Sequence, residues 1–207
     1  MSHPASGAAP SPVSDTLTPH PPARVKVWDP VVRLFHWTVA LGCIANLTIL
    51  REVKVAHRYV GYAVLAAVAI RVVWAFVGTR HARLADFAPS PRRLVGYLGS
   101  LVRGCEPRYV GHNPAGAVMM LALIGLLGLC GVTGWMMGLD AFWGVGWVEA
   151  LHEGAANMIL IMAIVHVLAA LVESWRHREN LILSMVTGLK RAPQGNDVCH
   201  APAADRG

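Results

Sequence analysis

The stretch LHEGAANMILIMAIVHVLAALV at Leu151–Val172 decides the fold. It is apolar on nearly every face, whereas a helix of a water-soluble bundle would carry one polar face. An α-helix needs about 20 such residues to cross a hydrocarbon core of about 30 Å. The stretch therefore predicts a transmembrane helix.

Two histidines interrupt this span, His152 near its start and His166 fourteen residues later. Fourteen residues are close to four helical turns, so the two side chains share one face, about 40° apart and about 21 Å apart in depth. Ionisable residues inside a membrane span are costly and usually face an interior partner. One helix thus presents two nitrogen ligands on a single stripe at two depths.

The rest of the chain is also apolar and poor in charged residues. Of its 207 residues, 55% are hydrophobic and 14% charged, against about 25% charged in typical soluble domains. The chain is predicted to be all-α, an integral membrane four-helix bundle at residues 24–191, between disordered tails at 1–23 and 192–207. Residues 1–23 lack the apolar core of a cleavable signal peptide. The predicted spans are Val31–Leu50, His57–Val77, Ala115–Met137 and Leu151–Val172.

Four cysteines are scattered along the chain and form no CxxC or CxxCH motif. This pattern argues against a covalently attached c-type haem, a zinc ribbon and a disulfide framework. The residues are Cys43, Cys105, Cys130 and Cys199.

The orientation follows from the basic residues. Lys and Arg are concentrated before the first span, between the second and third spans, and after the fourth span. Positive charge marks the cytoplasmic side, so both termini are expected there. The net charge of +6 is therefore a topology signal, and nucleic-acid binding is not expected. In the second connection, residues 90–102 predict a short amphipathic helix on the inner membrane surface.

This orientation sorts the intramembrane histidines into two layers. His57 and His152 fall near the outer face, and His36 and His166 fall near the inner face. Two histidines of facing helices can bind an iron porphyrin between them, and bundle cores commonly build cofactor sites in this way. A single histidine would more often hydrogen-bond a neighbouring helix, but two depth-matched pairs favour two haem groups.

Further residues could assist such a site. Arg71 lies fourteen residues after His57, at the depth of the inner pair, and either binds a haem propionate or extends to the inner surface. His112 precedes the third span and is an alternative inner ligand or a helix cap near a propionate. Glycines at three-residue spacing favour close helix packing, with approach to a haem face as the alternative. They are Gly125, Gly128, Gly131 and Gly134.

Several motifs together resemble a known family over Val25–Arg191. They are VWDPVVRLFHW at 27–37, HRYVGY at 57–62, RVVW at 71–74, GHNPAG at 111–116, LHE at 151–153 and ENLILSMVTGLKR at 179–191. The chain resembles the bacterial di-haem cytochrome b561 family, which includes the b-type cytochrome subunits of nickel–iron hydrogenases. Hydrogenase-linked members often carry a fifth helix, and this sequence shows four.

The resemblance implies two haem b groups whose iron ligands are His36, His57, His152 and His166. It also implies a respiratory-chain protein of the bacterial inner membrane. Such proteins exchange electrons between membrane quinone and a redox partner, such as a periplasmic cytochrome c, a hydrogenase or another dehydrogenase. The sequence leaves open whether the chain is a monomer or a homo-oligomer.

A few residues near the histidines could also support other functions. A stand-alone superoxide:quinone oxidoreductase is the main alternative, because Arg51, Lys54 and Arg58 near the outer layer could attract an anionic radical. A metal or proton transporter would need a polar path between the histidine layers, where the fourth span offers only Asn157. An intramembrane zinc protease is disfavoured, because Ala156 stands where an H-E-x-x-H motif starting at His152 needs histidine.

Overall fold

The computed structural model describes residues 23–79, 83, 90–195, 197 and 198. Most of the two predicted tails, together with Arg80, His81 and Cys199, lies outside the described residues. A short 3-10 helix at Asp140–Phe142 connects the two long helices of the second half. The other elements, in chain order, are β1 (Arg24–Lys26), α1 (Pro30–Thr48), α2 (Lys54–Val77), α3 (Pro91–Val102), α4 (Pro114–Met136), α5 (Gly146–Arg176), α6 (Leu181–Thr187) and β2 (Leu189–Arg191).

Four of these helices, α1, α2, α4 and α5, are long and apolar enough to cross a membrane. The four predicted spans and the short helix in the second connection are therefore confirmed. The bounds differ most for α5, which begins at Gly146 instead of Leu151 and continues to Arg176 instead of Val172. Both extensions carry Trp and charged residues, which suit the ends of a span at the membrane interface.

Three helices begin with the same local chemistry. Asp29, Ser90 and Asn113 are each followed by a proline, and each side chain accepts a hydrogen bond from a backbone N–H in the first turn. A short polar residue at the N-cap satisfies an otherwise unpaired N–H, and proline fits the first helical position because it has no N–H to leave unpaired. The sequence thus sets the starts of α1, α3 and α4 locally.

The bundle is held by contacts in which small residues allow close approach. Helix α1 packs on α2, α2 on α4, and α4 most extensively on α5. A Cβ atom on Gly131 would lie 2.8 Å from Leu65, and one on Gly42 would lie 2.6 Å from Val64. Among the described residues, α5 does not pack closely against α1 or α2. Helix α4 therefore provides most of the packing between α5 and the other helices of the bundle.

Strands β1 and β2 were not predicted from the sequence. They pair antiparallel, with Val25 opposite Lys190, so both ends of the described chain lie on one side of the bundle. Beyond β2, Val198 forms an isolated bridge with Tyr109, inside the stretch predicted to be a disordered tail. The division of the chain into two tails and a membrane domain stays a prediction.

Asp29 joins the start of α1 to the end of α2. Its Oδ1 accepts from the Val32 amide at 2.9 Å, and its Oδ2 accepts from Trp74 at 3.1 Å and from Thr79 at 2.5 Å. Burial raises the pKa of Asp29, but these hydrogen bonds outweigh burial and hold the pKa below its ordinary value of 3.8. The carboxylate therefore stabilises the fold above the pKa of the unfolded state, and this contribution is lost as pH falls through the lower folded pKa.

We expect Asp29→Asn to reduce the free energy of unfolding by about 1–3 kcal/mol at pH 7, because asparagine keeps the N-cap but loses charged hydrogen bonds. Thermal unfolding of both proteins in detergent, measured from pH 7 to pH 3, checks this. The difference between them should shrink below about pH 4, where the carboxylate of the unfolded state becomes protonated, and disappear only below the lower pKa of the folded state. A difference that does not change with pH would contradict the assignment.

Candidate functional site

The structure brings His57 of α2 and His152 of α5 together at one end of the bundle. Their ring centroids are 6.3 Å apart, and the ring planes are inclined by 64°. Two imidazoles on opposite sides of one metal ion, each with a metal–nitrogen bond of about 2 Å, have centroids about 6 Å apart. The separation of this outer pair therefore fits one metal ion held between the two rings.

The orientation of the His152 ring is fixed by α4. Its Nδ1 lies 2.9 Å from the carbonyl oxygen of Cys130, and because a carbonyl only accepts, Nδ1 carries the proton. The lone pair of the neutral ring is then on Nε2, which is the nitrogen available to a metal. Metal-binding histidines commonly donate their other N–H to a carbonyl in this way. Sequence patterns did not indicate Cys130, because its contribution is a backbone atom.

The His57 ring has fewer hydrogen-bond partners than the His152 ring. Its ring is half-buried, and its Nδ1 is buried without a hydrogen-bond partner. Asn46 of α1 donates from Nδ2 to the backbone oxygen of His57 at 3.2 Å, which fixes the start of α2. An unpaired buried nitrogen in a ring that faces a second histidine fits a residue whose function is to bind a ligand.

Gly134 makes room for the His152 ring. A Cβ atom at this position would lie 3.0 Å from Cε1 and 3.3 Å from Nδ1 of His152, closer than ordinary van der Waals contact. A Cβ atom on Gly128 would meet nothing within 4 Å. Of the four glycines at three-residue spacing, Gly131 and Gly134 thus serve close packing, Gly131 against Leu65 and Gly134 against His152.

We expect Gly134→Val to displace the His152 ring, because a branched side chain cannot share the space with the imidazole. The resemblance to a di-haem family implies two haem groups, so the purified protein should lose roughly half of its haem in a pyridine haemochrome assay. Gly128→Val is the matched control and should keep the wild-type haem content. Equal haem content in the two variants would contradict the role of Gly134.

The inner pair is less enclosed than the outer pair. His36 of α1 is half-buried with an unpaired buried Nδ1, and it is close enough to His166 to interact electrostatically. His166 is exposed, and so are all of its neighbours on α5 from 164 to 169. Six consecutive exposed residues cover every face of a helix, so this half of α5 stands apart from α1. The structure therefore places the two rings close enough to interact, without close packing between their helices.

Arg71 lies in the bundle interior, only 2% exposed. Its Nη2 contacts the Met120 sulfur at 3.9 Å, while its Nη1 is buried without a hydrogen-bond partner. A buried guanidinium with an unpaired N–H calls for an anionic or carbonyl partner. Arg71 also interacts electrostatically with Asp29 at the inner end of α1, so both readings, a haem propionate partner and extension to the inner surface, stay predictions.

Other histidines have protein contacts. His112 stacks edge-on against Trp28, with ring centroids 4.9 Å apart, and His177 lies 3.0 Å from a Glu173 carboxylate oxygen. Among the residues that the structure describes, no three His, Cys, Asp or Glu side chains are grouped as a metal ion bound only by protein would need. Paired imidazoles, in contrast, suit a metal whose other ligands come from a macrocycle.

A polar cluster at the end of the bundle near β1 and β2 was not predicted from the sequence. Arg108 makes paired hydrogen bonds to Glu179 at 2.8 and 3.0 Å, and also contacts Asp197 and the backbone oxygen of Arg191. Beside it, Tyr97 of α3 donates to Glu173 at 2.6 Å. Burial and the neighbouring carboxylate raise the pKa of Tyr97, so its hydroxyl stays protonated and remains a donor. This cluster ties α3 and the loops to the end of α5.

The four apolar helices define a multi-pass membrane protein, and the half-buried pair of His57 and His152 suits a cofactor site of the cytochrome type. Residues 27–188 match the family described as prokaryotic cytochrome b561, and the chain belongs to that family. The suspected family is thus confirmed, and so is its broad function. The chain is a b-type, electron-transfer cytochrome of a membrane, and its family implies haem b as cofactor.

Curated relatives agree with this family. The chain is 25% identical to a probable Ni/Fe-hydrogenase B-type cytochrome subunit of Rhodobacter capsulatus, over 79% of this chain and 80% of the relative. It is 28% identical to the protein of the same name from Rhizobium leguminosarum bv. viciae, over 79% of this chain and 87% of the relative. The Azotobacter vinelandii protein of that name is 26% identical over the same shares. No solved structure matches the chain significantly.

Proposed function

We propose that the chain holds two haem b groups in series, one between His57 and His152 and one between His36 and His166. The observation that carries the proposal is the outer pair, with ring centroids 6.3 Å apart and His152 oriented by the Cys130 carbonyl. We propose the inner pair because His36 and His166 lie at matching depths in their spans and because Nδ1 of His36 is buried without a hydrogen-bond partner.

Bound haem supplies reversible one-electron exchange, and the protein determines its ligands, surroundings and potential. His57 with His152, and His36 with His166, would hold the two haems, and two histidines at each iron would leave no position open to a substrate. The Cys130 carbonyl keeps His152 in the tautomer that offers Nε2. The apolar side chains of α2, α4 and α5, including Val64, Leu127 and Ile159, exclude water from the region between the two pairs.

Arg71 is proposed to pair with a propionate of the inner haem, because its Nη1 is buried without a partner. We expect Arg71→Gln to lower the midpoint potential of one haem, since removing a positive charge makes reduction less favourable. A redox titration followed in the visible spectrum checks this. Arg103→Gln, at an exposed arginine that follows α3, is the control. Unchanged potentials for both haems in the Arg71 variant would contradict the pairing.

The electron donor and acceptor are proposed from the relatives. Proteins named as hydrogenase cytochrome subunits match most of this chain, so a hydrogenase is the first partner to test, before a cytochrome c or another dehydrogenase. Membrane quinone is proposed as the other partner. The basic side of the bundle, where β1 and β2 pair, is proposed to face the cytoplasm at the bacterial inner membrane.

A pyridine haemochrome assay on purified protein, with a reduced-minus-oxidised spectrum, tests the proposal. About two non-covalent b haems per chain, both low-spin, are expected. One haem per chain would contradict the series arrangement, and none would leave the histidines with a packing or transport role.

A superoxide:quinone oxidoreductase remains the alternative. Arg51, Lys54 and Arg58 are exposed, and in the described part of the chain none of them forms an ion pair. Stopped-flow mixing with superoxide decides between the two functions, because only the alternative expects rapid haem reduction.

A further inference from the structure

A cavity of about 500 Å³ opens at the end of the bundle where both ends of the described chain lie. It lies between residues 105–108, the end of α5 at 176–178, Arg191 and Asp197, and we refer to it as the arginine pocket. None of the four intramembrane histidines lines it. Its chemistry is therefore separate from that of the haem site.

Two of the four arginines that line the arginine pocket are neutralised by carboxylates. Arg108 is bound to Glu179 and Asp197, and Arg176 donates from Nη2 to Glu106 at 2.8 Å. Glu106 is almost fully buried, with a side chain 2% exposed, so it is committed to Arg176. These ion pairs form part of the pocket wall. Each acidic side chain of the pocket is therefore already paired with an arginine.

The other two arginines, Arg178 and Arg191, form no ion pair within the described residues. Arg191 interacts with Asp197 electrostatically, but its Nε is buried and has no hydrogen-bond partner. Against four arginines the pocket lining holds two carboxylates, Glu106 and Asp197. Glu179, outside the lining, also pairs with Arg108, so the four arginines have an excess of one positive charge over three carboxylates, and Arg191 has a buried donor without an acceptor.

The backbone around these two arginines is held in place. The Arg191 amide donates to Glu179 at 2.6 Å, and its carbonyl accepts from Arg108 at 2.9 Å. Arg178 has a φ of 49°, a left-handed conformation that non-glycine residues rarely adopt, and the next amide donates to the Ser174 carbonyl at 3.1 Å. Both side chains thus extend from fixed positions, which lowers the entropy lost when they bind a ligand.

We propose that the arginine pocket binds a phosphate group, presented either by an anionic phospholipid or by a soluble phosphate. The planar guanidinium donates parallel hydrogen bonds that match phosphate oxygens, and the guanidinium groups of Arg178 and Arg191, which form no ion pair within the described residues, can offer them. Trp175, 81% exposed at the end of α5, and Val102, 89% exposed at the end of α3, lie near this level of the chain. Aromatic and basic residues at this level are typical of an interface with lipid headgroups.

The test uses the purified holoprotein in nanodiscs of phosphatidylcholine. Binding of inorganic phosphate is measured by calorimetry, and binding of phosphatidylglycerol by native mass spectrometry after its addition to the protein in detergent. We expect Arg178→Gln combined with Arg191→Gln to weaken binding about tenfold or more. Arg92→Gln, an exposed arginine of α3 outside the pocket, should bind as wild type does.

Haem content shows whether each variant folds, and Arg178→Gln alone, at an exposed side chain, is a second variant that leaves β2 unchanged. Binding of phosphatidylglycerol without inorganic phosphate identifies a lipid headgroup site. Binding of inorganic phosphate that competes with the lipid identifies a site for either source. Failure of the wild type to bind both probes, or equal weakening in the Arg92 variant, would overturn the proposal.

Discussion

Replacing His166 by alanine is expected to leave about one haem b per chain, where the wild type holds about two. The variant removes one of the two imidazoles proposed for the inner site, while His57 and His152 keep the outer site intact. The loss should appear in a pyridine haemochrome assay and as the disappearance of one component of the redox titration. Because His166 is exposed and its neighbours pack little, the substitution should not destabilise the bundle.

His112→Ala is the control for this experiment, because His112 is the alternative inner ligand and contacts Trp28 at the same end of the bundle. It should keep both haems. Loss of a haem in the His112 variant together with two haems in the His166 variant would reassign the inner ligand. Two haems with unchanged spectra in both variants would sink the inner site as proposed.

The membrane fold was predictable because its signal is local. A span such as Leu151–Val172 is recognisable from its own residues, and the starts of α1, α3 and α4 are set by adjacent cap and proline residues. The early start of α5 at Gly146 was missed, since Trp147 and Glu149 interrupt the apolar run that marks a span. Charged residues at the end of a membrane helix lower the local hydropathy, so hydropathy alone places the helix boundary too far inside the span.

The site was predictable in part. Depth along each span put His57 beside His152, and the structure brings those two rings together, although haem ligation itself stays a prediction. The Cys130 carbonyl could not be found from residue types, because any residue at that position supplies a carbonyl. The bonds from Arg108 to Glu179 join residues 71 positions apart and follow no periodic pattern, so only the three-dimensional structure shows them.

Arg108→Met is expected to cause the largest loss of stability, about 3–5 kcal/mol of unfolding free energy. The Arg108 and Glu179 side chains are 4% and 9% exposed, so removal of the guanidinium leaves a buried carboxylate without its main partner. Lys190, 3.9 Å away, compensates only partly, because burial lowers its pKa and weakens its hold on the proton. Chemical unfolding in detergent, followed by tryptophan fluorescence, measures the loss.

Two further variants separate loss of the ion pair from loss of a charge. Arg103→Met removes an exposed arginine of the same region that forms no ion pair in the described part of the chain, and should change stability by about 0.5 kcal/mol or less. Arg108→Met combined with Glu179→Met removes both charges and should recover much of the loss, because the cost comes from the unpaired carboxylate. The stability losses of Arg108→Met and Glu179→Met are also measured separately. If the loss in the double variant equals their sum, the two side chains do not stabilise each other and the proposed role of the ion pair is wrong.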